Sequence, residues 1–251
     1  MQFIDLVTVS QRVAATRSRL EKRALLRDCL RAAGPAEIGL VVNYLGGTLP
    51  QGRIGLGPAI VRRLGDEPFA GEPSLSLTDV DQVFTRVAEI SGKGSQQRRR
   101  EELGALFGRT TAAERDFLAR LVLGEIRQGA LEGVLIEGIA DAADIPVDAI
   151  RRAVMLASDP APVARAAMLE GRHALARFRL EPMSPVRPML AQPAEDMADA
   201  MGSLGKAALE YKLDGARVQI HRVGTDVRIF SRRLNDVTAS LPDVVETALV
   251  Q

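Results

Sequence analysis

The first two thirds of the chain carry apolar residues at helical spacing, and strand-like alternation begins only near residue 205. Apolar side chains three and four positions apart lie on one face of an α-helix, where they can pack against other elements. Val80, Val83, Phe84 and Val87 show this spacing. The pattern predicts a mainly α protein whose strands come late in the chain.

Residues that typically begin and end helices divide the helical region into separate elements. Ser10 is expected to cap a helix that follows it, and Thr111 forms a capping box with Glu114. Pro146 suits the first position of another helix. Gly46 is expected to end a helix, since glycine is common just past a helix end.

Prolines mark the change of architecture. Positions 182, 185, 188 and 193 are proline, and this stretch has little periodicity. Because proline lacks an N–H and restricts the residue before it, the chain is expected to run extended here. We therefore predict a helical domain over residues 1–178, a linker over 179–193 and a second domain over 194–251.

Composition limits the classes of function. The formal net charge is +1 and the sequence pI is about 7.9, so any nucleic-acid site must be a local patch. The single cysteine, Cys29, excludes intramolecular disulfides, fits a reducing cytoplasm and is expected to be a buried small apolar residue. No apolar run reaches membrane-spanning length. We expect a cytoplasmic protein without membrane contact.

Lysine is scarce in this arginine-rich chain and occurs only at Lys22, Lys93, Lys206 and Lys212. Lysine differs from arginine because it can lose its proton in a suitable environment and then act as a nucleophile. Lys212 lies in the octapeptide Glu-Tyr-Lys-Leu-Asp-Gly-Ala-Arg at residues 210–217, between strand-like apolar residues. It is therefore a candidate nucleophile.

The octapeptide also predicts a hairpin. Strand alternation puts Glu210 and Lys212 on one face, and Asp214-Gly215 is a strong two-residue turn signal. The return strand would place Arg217 on the same polar side. This face could bind a polyanion beside a purine, although an ordinary salt-bridged surface hairpin would have the same spacing.

Glycine- and arginine-containing loops are the second functional signal. One of them, at residues 91–100, contains Lys93, Gly94, Ser95 and Arg98 at an expected helix start, where backbone N–H groups favour phosphate. Two further loops contain Arg53 and Arg127. We expect contacts to nucleic-acid backbone without sequence preference. Plain helix-connecting turns are the alternative.

The motif Glu-x-Lys-x-Asp-Gly-x-Arg resembles the nucleotidyltransferase motif of ATP-dependent DNA ligases, RNA ligases and capping enzymes. Residues 229–233, Ile-Phe-Ser-Arg-Arg, resemble the second ligase motif, and residues 184–191 resemble the segment that leads into the catalytic domain of DNA ligases. Residues 102–129 resemble the helical DNA-binding domain that precedes catalysis in many of these enzymes.

The resemblance implies a role for each matching residue. Lys212 would attack the α-phosphate of ATP, Glu210 would read the adenine edge, and Arg217 and Arg232 would hold ribose or phosphate. Asp214 and Gly215 would support the lysine, and Arg233 would contact DNA. ATP and Mg²⁺ are the implied cofactors, with the metal-binding residues unassigned. The implied partner is nicked duplex DNA, bound by a monomer in replication, repair or recombination.

The resulting fold prediction is a helical DNA-binding domain followed by the first β-strands of an α/β nucleotidyltransferase domain. The family's later motifs have no counterpart after Arg233. We therefore expect an N-terminal piece of a DNA ligase that does not complete ligation by itself. Two alternatives stay open: a non-catalytic module that binds duplex DNA, and a nucleotidyltransferase of the RNA ligase or capping type.

Overall fold

The computed structural model describes residues 1–52, 54, 69–126, 131–188, 194–211 and 214–250. The chain divides into two compact units. The first comprises Met1–Ala153 and Asp159–Arg177, and the second comprises Val154–Ser158 and Phe178–Gln251. Helices build the first unit, and the second carries a two-stranded sheet. The mainly α fold class, with strands late in the chain, is confirmed.

Helices that begin in the first unit run from near the chain start to residue 170. They are α1 Phe3–Ala15, α2 Arg19–Ala32, α3 Ile38–Leu45, α4 Leu77–Glu89, α5 Ser95–Gly108, α6 Ala112–Leu123, α7 Leu131–Ala143, α8 Val147–Ala157 and α9 Pro160–Glu170. A 3-10 turn, Arg172–Arg177, follows α9.

Local capping explains several of these helix limits. The Thr111 hydroxyl accepts the N–H of Glu114, and the Glu114 carboxylate accepts the N–H of Thr111 at 2.8 Å. This confirms the predicted capping box at the start of α6. Gly46 follows α3 directly and Pro146 directly precedes α8, so both stand at helix limits as predicted, Pro146 one residue earlier.

The predicted cap at Ser10 is wrong. Ser10 lies inside α1 and is buried. The helix begins earlier, at Phe3, because the N–H of Phe3 donates to the carbonyl of Leu75 at 2.8 Å and orders the chain start. Ser18 has the capping role for the next helix and accepts the N–H of Glu21.

The core of the first unit is apolar and contains edge-to-face aromatic pairs. Phe3 packs on Phe117 with ring centroids 5.7 Å apart, and Tyr44 packs on Phe84 at 6.4 Å. Cys29 is buried in α2, as expected, and this burial raises the pKa of its thiol to about 12. The thiol therefore stays protonated at neutral pH.

Helices α2 and α7 form the most extensive helix pair of the first unit. Their backbones approach closely at Gly138, where an added Cβ atom would lie 2.8 Å from the Cβ of Leu26. No side chain fits such a gap without movement of the backbone, since protein interiors are packed as densely as organic crystals. Glycine at position 138 is therefore a packing requirement.

A ladder of arginines on α2 bonds to α7 along the same contact. Arg19 donates to Glu137 at 2.7 and 3.1 Å, and Arg23 donates to Asp141 at 2.7 and 3.0 Å. Arg31 donates to the carbonyl of Asp141 at 2.8 Å. The hydrogen bond from Arg19 is the largest influence on Glu137, and the pKa of that carboxyl is lowered. The ladder therefore favours the ionised carboxylate in the folded state.

The second unit contains α10 Met197–Leu204, β1 Val218–Val223, β2 Asp226–Ser231, a 3-10 turn Thr238–Ser240 and α11 Pro242–Val250. The strands are antiparallel and are joined through Gly224, whose φ of +60° suits a tight turn. Ile229 and Phe230 are buried, and α11 packs on both strands. The predicted domain limits at residues 178 and 193 stay predictions.

The hairpin predicted around Asp214-Gly215 is wrong, since neither residues 206–211 nor residues 214–217 form a strand. Residues 218–223, expected to pair with the preceding segment, pair with residues 226–231 instead. The later strand is rich in β-branched and aromatic residues, whereas Lys206-Ala207-Ala208 has low strand propensity. For residues 218–223, the stronger pairing partner is therefore the segment after them and not the segment before them.

Replacing Gly138 with alanine should destabilise the first unit by about 1–3 kcal/mol, because the new methyl group overlaps Leu26. Urea unfolding followed by helical circular dichroism measures this loss. Gly133→Ala is the matched control in the same helix, since its nearest neighbour would be Arg19 Nη2 at 3.7 Å. Equal stability of the two variants would contradict the proposed close approach.

Replacing Glu137 with glutamine should remove a pH-dependent part of the stability. Because the pKa of Glu137 is lowered in the folded state, its contribution is present above the unfolded value of about 4.3 and is lost as pH falls through the folded pKa. The stability difference between wild type and Glu137→Gln should thus be larger at pH 7 than at pH 3. Urea midpoints at both pH values test this, with the exposed Glu89→Gln as control; a pH-independent difference would contradict it.

Candidate functional site

The register of the hairpin brings two predicted site residues to the same end of the sheet. Val218 pairs with Ser231 at the open end of the ladder. Arg217 and Arg232 are the next residues outward on the two strands, so they lie at that end together. The sequence predicts Arg217 from one motif and Arg232 from another.

Arg232 and Arg233 occupy the central positions of a tight turn. The N–H of Leu234 donates to the carbonyl of Ser231 at 2.8 Å, and the N–H of Asn235 donates to the Ser231 hydroxyl at 3.2 Å. Leu234 has a φ of +64°, a conformation that costs free energy for a residue with a side chain. The turn holds both arginine side chains out in solvent.

The residues after this turn fold back and brace β2. The N–H of Val237 donates to the carbonyl of Ile229 at 2.8 Å, and the N–H of Ile229 donates to the Thr238 hydroxyl at 2.9 Å. Thr238 in turn hydrogen-bonds to Asp236 through its hydroxyl and its N–H, and these bonds lower the pKa of that carboxyl. The turn that contains Arg232 and Arg233 is therefore followed by residues that are hydrogen-bonded to β2.

Arg217, Arg232 and Arg233 together are called the arginine cluster. All three are exposed, and within the described part of the chain none forms an ion pair with a carboxylate. Guanidinium groups present a planar set of donors that matches phosphate and carboxylate oxygens. The cluster is thus an exposed, positively charged surface.

The nucleophile candidate Lys212 lies outside the described residues, as does Leu213. Of its neighbours, Glu210 and Asp214 are exposed, and Tyr211 is 96% exposed. Gly215 has open space around it, with no heavy atom within 4 Å of the position of an added Cβ. Their predicted roles around the lysine stay predictions.

The proline-containing stretch at residues 184–188, called the proline segment, is anchored within the second unit. Gln219 of β1 hydrogen-bonds to both backbone groups of Val186, and the Ser158 hydroxyl donates to the carbonyl of Pro185. Sequence reasoning missed Gln219 and Ser158 because both act through contacts between distant positions. The only local sequence signal was the pair of prolines, which leaves the segment few backbone N–H groups for attachment.

The loop before α5 has the predicted form of a helix start. Gly92 and Gly94 have φ values of +79° and +77°, and no side chain caps the helix. Arg98 donates to the carbonyl of Ser91 at 2.7 Å and so bends the loop. Lys93 is exposed and Ser95 is half-buried. Arg53 and Arg127, predicted for two other loops, lie outside the described residues.

Two kinds of feature are absent from the described ranges. Those residues contain no group of three or more His, Cys, Asp or Glu side chains that could hold a metal ion. They also contain no helix long and apolar enough to cross a membrane.

Two family models match the chain. The model for the DNA ligase N terminus matches residues 62–140, and the model for the ATP-dependent DNA ligase domain matches residues 188–250. Together they cover more than half of the sequence, and the second includes the octapeptide and the arginine cluster. The chain belongs to the ATP-dependent DNA ligase family.

Curated relatives in this family agree over nearly the whole chain. A probable DNA ligase of Anaeromyxobacter sp. (strain Fw109-5) is 54% identical over 98% of this chain and 48% of its own length. One of Rhodococcus jostii (strain RHA1) is 52% identical over 98% and 49%, and one of Sorangium cellulosum (strain So ce56) is 49% identical over 98% and 46%. The chain spans about half the length of the relatives that it matches.

Proposed function

We propose that this protein acts in the sealing of nicks in duplex DNA, through a lysyl-adenylate that forms on Lys212. The observation that carries the proposal is the arginine cluster, which gathers three exposed cations without carboxylate partners in the described residues. Arg217 lies five positions after Lys212, in the motif that the ligase family uses. Family membership supports ATP as the nucleotide. We further propose a cytoplasmic monomer.

The first step is attack of the neutral Lys212 amine on the α-phosphorus of ATP. A P–N bond forms, the bond to the β-phosphate oxygen breaks, and pyrophosphate leaves while the amine loses its proton. Arg217 and Arg232 stabilise the charge that grows on the phosphate oxygens, as preorganised donors do in other phosphoryl transfers. Glu210 accepts a hydrogen bond from the adenine amino group, and Asp214 and Gly215 position the lysine. Mg²⁺ bound to phosphate oxygens would offset their negative charge.

The adenylate then moves to DNA. An oxygen of the 5′-phosphate at the nick attacks the adenylate phosphorus, the P–N bond breaks and Lys212 regains a proton. The 3′-hydroxyl next attacks the activated 5′-phosphate, a phosphodiester bond forms, and AMP leaves. Arg233 lies beside Arg232 in the same turn and is proposed to contact the DNA phosphate.

The start of α5 is proposed as a contact to DNA backbone. Its first turn has no acidic residue, and Lys93 and Arg98 lie at the positively charged end of the helix dipole. Such an arrangement is unfavourable alone and becomes favourable when a phosphate binds the free N–H groups with the help of Gly94 and Ser95. Arg53 and Arg127 are proposed for the same role in their loops. None of these groups reads base edges, so binding should be independent of sequence.

Incubation with α-labelled ATP and Mg²⁺ should give a covalent, acid-labile AMP adduct on the wild-type chain. Lys212→Ala and Lys212→Arg should give none, because arginine keeps its charge and is not a nucleophile. Arg217→Gln and Arg232→Gln should each slow adduct formation by about 10²-fold, as loss of one preorganised donor does. Labelled protein on denaturing gels measures all four variants.

Lys206→Ala is the matched control, since Lys206 is an exposed lysine close before the motif. Its adduct should form at the wild-type rate. An adduct that survives Lys212→Ala would refute the assignment of the nucleophile. Labelling by GTP in preference to ATP would favour the capping-type alternative.

Duplex DNA binding should depend strongly on salt and involve the loop before α5. Replacing Lys93 or Arg98 with glutamine should weaken binding equally on unrelated sequences, and should reduce the slope of log K against log salt by about 0.9 for each lost phosphate contact. Titration of fluorescent nicked and intact duplexes at several salt concentrations measures the slope.

Arg12→Gln, an exposed charge on α1, controls for general electrostatics. An identical loss in this variant would contradict a local phosphate site before α5. Firm binding of nicked duplex without any adduct would favour the non-catalytic DNA-binding module. Tight binding of RNA but not DNA would contradict the DNA ligase proposal.

A further inference from the structure

The side chain of Gln219 in β1 forms the pair of hydrogen bonds that a backbone peptide unit would otherwise form. The Gln219 Nε2 donates to the carbonyl of Val186 at 2.6 Å, and the N–H of Val186 donates to Gln219 Oε1 at 3.0 Å. The carboxamide thus satisfies the donor and the acceptor of one residue, as a paired peptide unit would. This pair of bonds is called the Gln219 clamp.

Backbone N–H donors are few in the proline segment. Pro185 and Pro188 have no N–H, so Val186 and Arg187 supply the backbone donors between them. The N–H of Arg187 donates to the carbonyl of Met155 at 3.0 Å, and the one of Val186 belongs to the Gln219 clamp. Half-buried backbone groups are costly to leave unpaired, so loss of the clamp would release part of the segment.

The other side of the proline segment is held by the end of α8. Arg187 Nε donates to the carbonyl of Ser158 at 2.6 Å, and the Ser158 hydroxyl donates to the carbonyl of Pro185. Ser158 itself has a φ of +61°, which places it in the left-handed region. The segment is therefore fixed from both sides, and the Gln219 clamp joins it to β1.

Gln219 stands next to the proposed nucleotide site. Arg217 directly precedes β1, which begins at Val218, so Gln219 lies only two positions along the chain from Arg217. Opposite Gln219 on β2 is Phe230, which is buried. Directly paired residues of antiparallel strands share a face of the sheet, so the Gln219 clamp and the buried Phe230 ring hold the start of β1 from the same face, and Arg217 is attached to that start.

We propose that Gln219 is a positioning residue for nucleotidyl transfer, which holds Arg217 in place by clamping the start of β1 to Val186. This inference rests on the proposed function, in which Arg217 contacts the nucleotide. Gln219 itself touches neither the nucleotide nor the reacting atoms in this scheme. Its effect on the reaction should therefore pass entirely through Arg217.

The test combines exchange and kinetics on the 251-residue chain. In Gln219→Leu, which keeps the side-chain size, and in Gln219→Glu, which cannot donate to the Val186 carbonyl, amide hydrogen exchange should accelerate at Val186 and at the start of β1. Exchange in the first unit should not change. Asp226→Asn, an exposed change at the far end of the same hairpin, is the control and should leave exchange at Val186 as in wild type.

Kinetics of adduct formation with ATP separate positioning from general stability. Gln219→Leu should lower kcat/KM by about tenfold, as loss of two hydrogen bonds can, with most of the effect in KM for ATP. In an Arg217→Gln background the same substitution should have almost no further effect, because residues that act through one another are not additive. Asp226→Asn should react like wild type.

Each outcome decides the inference. Unchanged exchange at Val186 in both Gln219 variants would overturn the clamp, whatever the chain does with ATP. Accelerated exchange with unaltered kinetics would overturn the positioning role, as would a full tenfold loss in the Arg217→Gln background. A wild-type chain that forms no adduct overturns the proposed function and the positioning role together, while exchange at Val186 still reports on the clamp.

Discussion

The close crossing of α2 and α7 holds the helical unit together. It joins Arg19 to Glu137, which are 118 positions apart, and so closes a long loop of chain that contains α3 to α6. Closing such a loop costs conformational entropy, and the contact must offset it. Gly138 allows the backbones to approach, and this proximity lets the arginines of α2 reach carboxylates and carbonyls of α7. The hydrogen bonds between the two helices therefore depend on the close approach that Gly138 allows.

The second unit uses charge in the opposite way. On α2, Arg19 and Arg23 are paired with acids of α7, whereas the arginine cluster at the open end of the hairpin has no such partners in the described residues. Unpaired cations that lie close together repel each other, and a turn with a left-handed Leu234 holds two of them side by side. The proposed binding of phosphate oxygens at Arg217, the last residue of the octapeptide, would offset this repulsion.

Some local signals in the sequence predicted the structure correctly, and others were overridden by contacts with other parts of the chain. The Thr111 capping box needs only residues within one turn, so its spacing is sufficient. Asp214-Gly215 is an equally local turn signal, but it failed because the strand after it has a better partner in residues 226–231 than in the residues before it. Ser10 failed for a related reason, since a tertiary contact at Phe3 starts the helix earlier.

The candidate site shows the same contrast between residues that motifs predict and contacts that depend on distant positions. Arg217 and Arg232 could be named from motifs, and their proximity follows from a register that no motif contains. The Gln219 clamp had no readable pattern, since a carboxamide that imitates a peptide unit looks like any polar strand residue in the sequence. Such substitutes for backbone pairing become visible only when the distant partner, here Val186, is in place.

Burial of Cys29 has a practical consequence for work in solution. Cys29 lies on α2 with its thiol buried, and this burial raises the pKa of the thiol to about 12. The thiolate that reacts with maleimides is therefore scarce at neutral pH. Since it is the only cysteine in the sequence, a new cysteine placed on an exposed residue would carry a fluorophore almost alone. Single-molecule distance measurements can thus begin from the native background.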